Sequence, residues 1–102
     1  MSRFLYDIAT ARSGDKGSHA NIGVIAKDKN TYEELLALLT EEKVKVYFKK
    51  LNPQRVVRYE LPNLYALNFV LENVLDGGGS CSLRLDSQGK TLGQALLLME
   101  IP

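Results

Sequence analysis

Residues 55–61 read RVVRYEL, and this stretch indicates most directly how the chain folds. Apolar and charged side chains alternate along it with the two-residue period of a β-strand. A strand with one buried face and one solvent-exposed face is typical of an antiparallel sheet that is covered on one side. The alternation therefore predicts an inward set and an outward set: Val57, Tyr59 and Leu61 face the core, and Arg58 and Glu60 face solvent.

Further segments predict strands of the same sheet. Residues 4–10 (FLYDIAT) and 82–86 (SLRLD) alternate, and residues 21–26 (NIGVIA) form a compact apolar run. Residues 92–101 fit two structures, because a helix cap is possible at Thr91 and yet the following apolar residues would also suit a strand. We interpret this end as a short helical turn that enters a final extended segment.

Three segments predict helices. Residues 31–39 begin with a T-x-x-E capping box and place leucines at helical spacing, and Thr40 can cap a second helix. Residues 63–75 contain the widest apolar stripe and predict the most buried helix, which Gly77 would end. These elements predict an α+β fold with a mostly antiparallel four-stranded sheet and helices packed on one face. The expected core set is Phe4, Ile8, Ile22, Val24, Leu35, Leu39, Val57, Tyr59, Leu67, Leu71, Leu83 and Leu85.

Length, charge and cysteine content exclude several classes of protein. The chain has 102 residues, so a single domain over residues 1–102 is expected. Thirteen Lys and Arg against twelve Asp and Glu leave a formal charge of +1, without the basic excess of a nucleic-acid-binding domain. The longest apolar runs are far shorter than the ~20 residues of a membrane helix. Cys81 is the single cysteine, which excludes an intramolecular disulfide and favours a cytoplasmic location.

The stretch ARSGDKG at residues 11–17 is the strongest candidate binding site. Residues 12–19 are predicted to form a loop, in which glycines and a lysine can direct backbone N–H groups and an ammonium at one anion. The alternative is a structural loop in which Asp15 caps a turn and Lys16 is solvated. The polar concavity is expected to be lined by Arg12, Ser13, Gly14, Asp15, Lys16, Gly17 and Asn21, together with Gly77, Gly78 and Gly79.

The sequence contains no catalytic constellation that can be assigned. His19 and Cys81 would form a base and nucleophile only if the fold brought them together. One histidine and one cysteine cannot complete a zinc coordination sphere without carboxylates, so neither a metal nor a cofactor is predicted.

Several blocks of the chain, in order, resemble a known family. The small C-terminal domain of acyclic terpene utilisation (AtuA-like) proteins is similar to residues 11–17 (ARSGDKG), 20–26 (ANIGVIA), 59–71 (YELPNLYALNFVL), 77–79 (GGG) and 82–90 (SLRLDSQGK). The resemblance covers nearly the whole chain and implies a ferredoxin-like domain, found behind a larger domain or as a separate small protein. It implies an association with the degradation of branched terpenoids through acyl-CoA intermediates, with no agreed catalytic residues.

From this resemblance we expect an accessory subunit that completes or regulates a separately encoded large AtuA-type protein. One alternative is a stand-alone module that binds an anionic small molecule such as an acyl-CoA. A second alternative is an independent small enzyme that uses Asp15, Lys16 or His19 as acid or base. A sheet with helices on one face leaves its other face and its edges to be covered, so without a partner we expect at least a dimer.

Overall fold

A computed structural model describes residues 3–16, 18–74 and 90–101 of the chain. Short 3₁₀ turns lie at Leu5–Asp7, Lys49–Leu51 and Pro62–Leu64. The helices and strands of the described ranges are β1 (Arg3–Phe4), β2 (Ala9–Lys16), β3 (His19–Ala26), α1 (Lys29–Leu38), α2 (Glu41–Tyr47), β4 (Arg55–Leu61), β5 (Ala66–Glu72), α3 (Lys90–Leu97) and β6 (Glu100–Ile101).

Four of these strands form one antiparallel sheet in the order β2-β3-β5-β4. β1 and β6 pair with each other as a separate two-stranded ribbon. Buried residues of all three helices join one core with the central strands β3 and β5, so the helices lie on the same side of the sheet. The predicted α+β class and the four-stranded antiparallel sheet are confirmed. No helix in the described ranges is long and apolar enough to cross a lipid bilayer.

The first predicted strand and the loop after it were placed wrongly. The chain leaves β1 at Phe4 through a 3₁₀ turn, in which the Asp7 carboxylate accepts the Phe4 N–H at 2.9 Å. β2 then continues to Lys16, through the residues predicted as a loop, and pairs residue for residue with β3. Glycine and aspartate are depleted in strands, but pairing and packing against a neighbouring element override that weak preference.

The predicted helix at residues 63–75 is also wrong, because most of it is strand β5. Its apolar residues satisfy both a helical and an alternating pattern, and such short apolar runs are ambiguous. Leu67, Phe69 and Leu71 are fully buried on one face of β5, which is paired on both sides by β3 and β4. The third helix lies instead at Lys90–Leu97. The predicted helix end at Gly77 and the predicted strand at residues 82–86 lie outside the described residues.

Strand β4 is confirmed, but the predicted inward and outward faces are reversed. Val56 is buried, whereas Tyr59 is 54% and Leu61 41% exposed. Arg58 lies on the helix side and donates through Nη1 to the carbonyl oxygens of Leu36 and Leu39, at 2.8 and 2.9 Å. Carbonyl groups at the C-terminal end of a helix have no N–H partner within the helix. The Arg58 guanidinium can therefore donate hydrogen bonds to them from the helix side of the sheet.

The first two helices agree with the prediction except at their ends. Thr40 caps α2, and its hydroxyl accepts the Lys43 N–H at 3.1 Å, as predicted. α1 begins earlier than predicted, because Asp28 rather than Thr31 is the cap and accepts the Thr31 N–H at 2.8 Å. Aspartate and threonine are both favoured as caps, so the sequence offered two candidate starts for this helix.

The core was predicted in large part. The expected positions found buried are Ile8, Ile22, Val24, Leu35, Leu39, Leu67 and Leu71. Phe4 and Val57 are half-buried, Tyr59 is exposed, and Leu83 and Leu85 lie outside the described residues. The predicted form of the tail, a short helix followed by an extended segment, is confirmed by α3 and β6.

Candidate functional site: the open face of the sheet

The sheet has a helix face and an open face, because side chains alternate along each strand. Ile22 and Phe69 on the two central strands point into the core and are fully buried. Their neighbours along each strand point the other way. We define the open face as Thr10, Arg12, Gly14, His19, Asn21, Gly23, Ile25, Arg55, Val57, Tyr59, Leu61, Ala66, Asn68, Val70 and Glu72.

The strand register arranges twelve of these residues in three rows across the sheet, each in the order β2, β3, β5, β4. The first row is Thr10, Ile25, Ala66 and Leu61; the second is Arg12, Gly23, Asn68 and Tyr59; the third is Gly14, Asn21, Val70 and Val57. Residues in one row on adjacent strands are close enough to contact one another.

The strand divides the ARSGDKG motif between the two faces. Arg12 and Gly14 lie on the open face. Ser13 faces α3, where its Oγ accepts the Gly93 N–H at 3.0 Å. The residues that were predicted to line one concavity therefore lie on two different faces of the sheet. Ser13 joins α3 to the sheet instead of lining the open face. Asp15 and Lys16 hold strand positions opposite Ala20 and His19, and Gly17 and Gly77–Gly79 lie outside the described residues.

Two asparagine amides stand beside glycines on the open face. A Cβ at Gly14 would lie 3.4 Å from Asn21 Oδ1, and one at Gly23 would lie 3.8 Å from Asn68 Oδ1. The glycines therefore leave room for the amides to lie close over the strands. Neither amide is hydrogen-bonded to another described residue. Each can both donate and accept, so the pair offers hydrogen bonds to a molecule that covers this face.

A hydrogen-bonded cluster closes the end of the sheet where β2 turns into β3. His19 Nδ1 accepts the Asn73 N–H at 3.1 Å, and the Ser18 hydroxyl donates to Asn73 Oδ1 at 3.0 Å. Asn73 Nδ2 donates to Gln54 Oε1, which ties the end of β5 to the start of β4. Because Nδ1 is an acceptor, the neutral His19 ring has its proton on Nε2. In this arrangement Nε2 is a donor, suited to an anion rather than to proton abstraction.

The two arginines of the open face differ in their surroundings. Arg55 donates to Glu72 Oε2 from Nη2 at 2.7 Å and from Nε at 3.1 Å. This hydrogen bond is the main reason why the pKa of Arg55 is raised. Arg12 is exposed on the edge strand β2 and forms no ion pair with a described carboxylate. Its charge is therefore available to an anion or to an electron-rich ring.

The opposite end of the open face is apolar. Ile25 is 42% exposed and lies in the first row with Leu61, while the Tyr59 ring stands beside them in the second row. Large exposed apolar residues grouped on one face are typical of an interaction surface. Sequence reasoning missed Tyr59 and Asn68, because it placed the first in the core and the second on a helix. The signal that could have found Asn68 was the two-residue spacing of residues 66–72.

A scan against protein-family models matches residues 3–102 to one family, described as the AtuA ferredoxin-like domain. Searches of curated proteins and of solved structures gave no significant match. The match covers essentially the whole chain and agrees with the four-stranded antiparallel sheet and with the helices of the described ranges, which lie on one side of it. The chain therefore belongs to the AtuA ferredoxin-like domain family.

Proposed function

We propose that this chain is the small component of an acyclic-terpene-utilisation-type system, and that it completes or regulates a separately encoded large AtuA-type protein. The observation that supports this proposal is the open face, where Ile25, Tyr59 and Leu61 expose apolar surface beside two side-chain amides that have no hydrogen bond to the described residues. Removing such surface from water contributes roughly 25 cal/mol per Å², so a protein that covers the face is favoured to bind.

The test is co-expression with the large AtuA-type protein encoded nearest to this chain, followed by size-exclusion chromatography. We expect the two chains to elute together. Leu61→Arg should weaken the complex, because it places a charge in the apolar row. Leu98→Arg is the matched control, since Leu98 is 60% exposed at the end of α3, away from the open face. Separate elution of the wild-type chains would contradict the proposal, as would equal weakening by both variants.

A second candidate function is the binding of an anionic small molecule such as an acyl-CoA. The supporting observation is the polar part of the open face, where the Arg12 guanidinium, the Asn21 amide and His19 Nε2–H are donors on neighbouring strands. A guanidinium can donate two parallel N–H bonds to a pair of oxygens of a phosphate or carboxylate group.

Calorimetric titration with coenzyme A, a short acyl-CoA and inorganic phosphate tests this function. Arg12→Ala should weaken binding by about 1.5–3 kcal/mol, the scale of a hydrogen bond to a charged group. Lys27→Ala is the control, because Lys27 is an exposed cation that follows β3 at the other end of the sheet. If the wild-type chain binds none of the three compounds, this second function is excluded.

A further inference from the structure

We propose that, without a larger partner, the open face is covered by a second copy of the same chain, related by a twofold axis that runs along the strands. The inference uses the same surface as the proposed function but not the identity of the large protein. The arrangement of residues within the rows indicates that a second copy of the chain fits the open face.

The twofold axis runs parallel to the strands and passes between β3 and β5. It places each row of one copy opposite the same row of the other copy, with the residues of the row in reverse order. β2 of one copy then faces β4 of the other. In the second row, Arg12 lies opposite Tyr59 of the second copy, at both ends of the row. A guanidinium over an aromatic ring is an attractive contact, and it would occur twice. Tyr59 is 54% exposed and Arg12 has no described ion-pair partner, so both groups are available.

The same axis brings Asn68 of one copy against Asn68 of the other. The Asn68 amide lies over Gly23, between the two central strands, where the axis passes. Two amides related by a twofold axis can each donate to and accept from the other. The dimer thus supplies hydrogen bonds for a half-buried amide that has none to the described residues.

The alternative axis, across the strands, is less favourable. It would reverse the order of the rows and place the apolar end, with Ile25 and Leu61, against the end that contains His19 and the Arg55–Glu72 ion pair. Apolar surface would then cover charged groups, whose desolvation is costly. The axis along the strands instead keeps the apolar ends of the two copies together.

The size of the face is compatible with a dimer that depends on concentration. Four strands about 4.8 Å apart and seven residues of about 3.3 Å rise give a footprint of roughly 19 by 23 Å. Two such faces with protruding side chains bury an area close to the ~1,000 Å² at which specific interfaces begin. We therefore expect monomers at low concentration and dimers towards the millimolar range.

The decisive experiment mixes two variants that each dimerise only weakly alone. Tyr59→Lys places a cation opposite Arg12 of the second copy, and Arg12→Glu removes the guanidinium, so each variant should dimerise at least tenfold more weakly than wild type. In the mixed dimer, one contact is the original arginine–tyrosine pair and the other joins the two introduced, opposite charges. Within one copy these two positions lie about 14 Å apart, at opposite edges of the sheet, so the restored contact must form between copies.

Sedimentation equilibrium of each variant and of the equimolar mixture measures this outcome, with Val46→Lys on α2 as the control for an added exposed charge. We expect the mixture and the control to dimerise like wild type, and thermal melts to verify that every variant is folded. A wild-type chain that stays monomeric at all concentrations overturns the inference. So does a mixture that associates no better than the single variants, or a single variant that dimerises as strongly as wild type. None of these results bears on co-elution with the large protein, which tests the proposed function separately.

Discussion

Ser13 on β2 and Gly93 on α3 join the edge of the sheet to the last helix, because the Ser13 hydroxyl oxygen accepts the Gly93 N–H at 3.0 Å. A Cβ at Gly93 would lie 3.2 Å from that oxygen and 3.3 Å from the carbonyl carbon of Arg12. The glycine thus allows the helix to approach both a side chain and the strand backbone. The contact assigns a packing role to one residue of the ARSGDKG motif.

Gly93→Ala should therefore destabilise the protein, by about 1–3 kcal/mol from overpacking. The higher helix propensity of alanine, worth about 1 kcal/mol, offsets part of this cost. Urea denaturation of the single variant and of Gly93→Ala in a Ser13→Ala background measures the two contributions. The double variant should keep part of the destabilisation, since the Arg12 carbonyl carbon remains. A Gly93→Ala protein that gains the full helix-propensity contribution of about 1 kcal/mol would refute the close approach.

The hydroxyl of Tyr32 is buried without a hydrogen-bond partner among the described residues. Burial is the main reason why the pKa of this phenol is raised. Tyr32→Phe should raise the free energy of unfolding by about 1 kcal/mol, because an unsatisfied buried polar group costs about that much or more. Tyr47→Phe is the matched control: the Tyr47 hydroxyl donates to the Ala95 carbonyl at 2.5 Å, so its loss should destabilise. Equal effects in the two variants would contradict this explanation.

Glu41 shields the outer edge of the sheet. Its Oε2 accepts the backbone N–H of Arg58 on the edge strand β4 at 2.8 Å. Glu41→Ala should cost about 1 kcal/mol and leave an edge group free to pair with another chain. Light scattering during prolonged incubation should detect faster aggregation, whereas Glu41→Gln, which keeps an acceptor oxygen, should behave like wild type. Aggregation of both variants at the same rate would show that the lost charge, not the lost acceptor, is responsible.

The cap of α1 predicts an acid-dependent part of the stability. The hydrogen bond from the Thr31 N–H holds the pKa of Asp28 below its ordinary value of 3.8. A carboxyl with a lowered folded-state pKa contributes fully above the unfolded pKa, and this contribution is lost as the pH falls through the folded value. Asp28→Ala should therefore be less stable than wild type at neutral pH, with the difference shrinking below about pH 4.

Denaturant unfolding between pH 2 and pH 7 measures this difference. Asp28→Asn serves as the control, because its amide oxygen can still cap the helix but does not titrate. A gap between wild type and Asp28→Ala that stays constant down to pH 2 would contradict the role of the charged cap.

The open face could be predicted only in part from the sequence. The candidate set predicted from the sequence included Arg12 and Gly14 of the motif and Asn21 after it, and all three lie together on the face. Ser13 was grouped with them because neighbouring residues in a loop can converge on one ligand, whereas neighbours in a strand point to opposite faces. Asn68 joins the face through the pairing of β5 with β3, and Tyr59 joins it through the pairing of β4 with β5; both residues are distant from the motif in sequence.

The sequence by itself determined several local elements: the helix α1, the cap of α2 at Thr40, and the alternating strand β4. These depend on interactions within a few residues, such as the Thr40 hydroxyl with the Lys43 N–H. Only the tertiary structure decided that residues 66–72 are a strand, because β3 and β5 pair along their lengths and bury Phe69 in the core. The tertiary structure also decided which side chains of β4 point towards the helices. Arg58 reaches the carbonyls at the end of α1 only when its side chain lies on the helix side of the sheet.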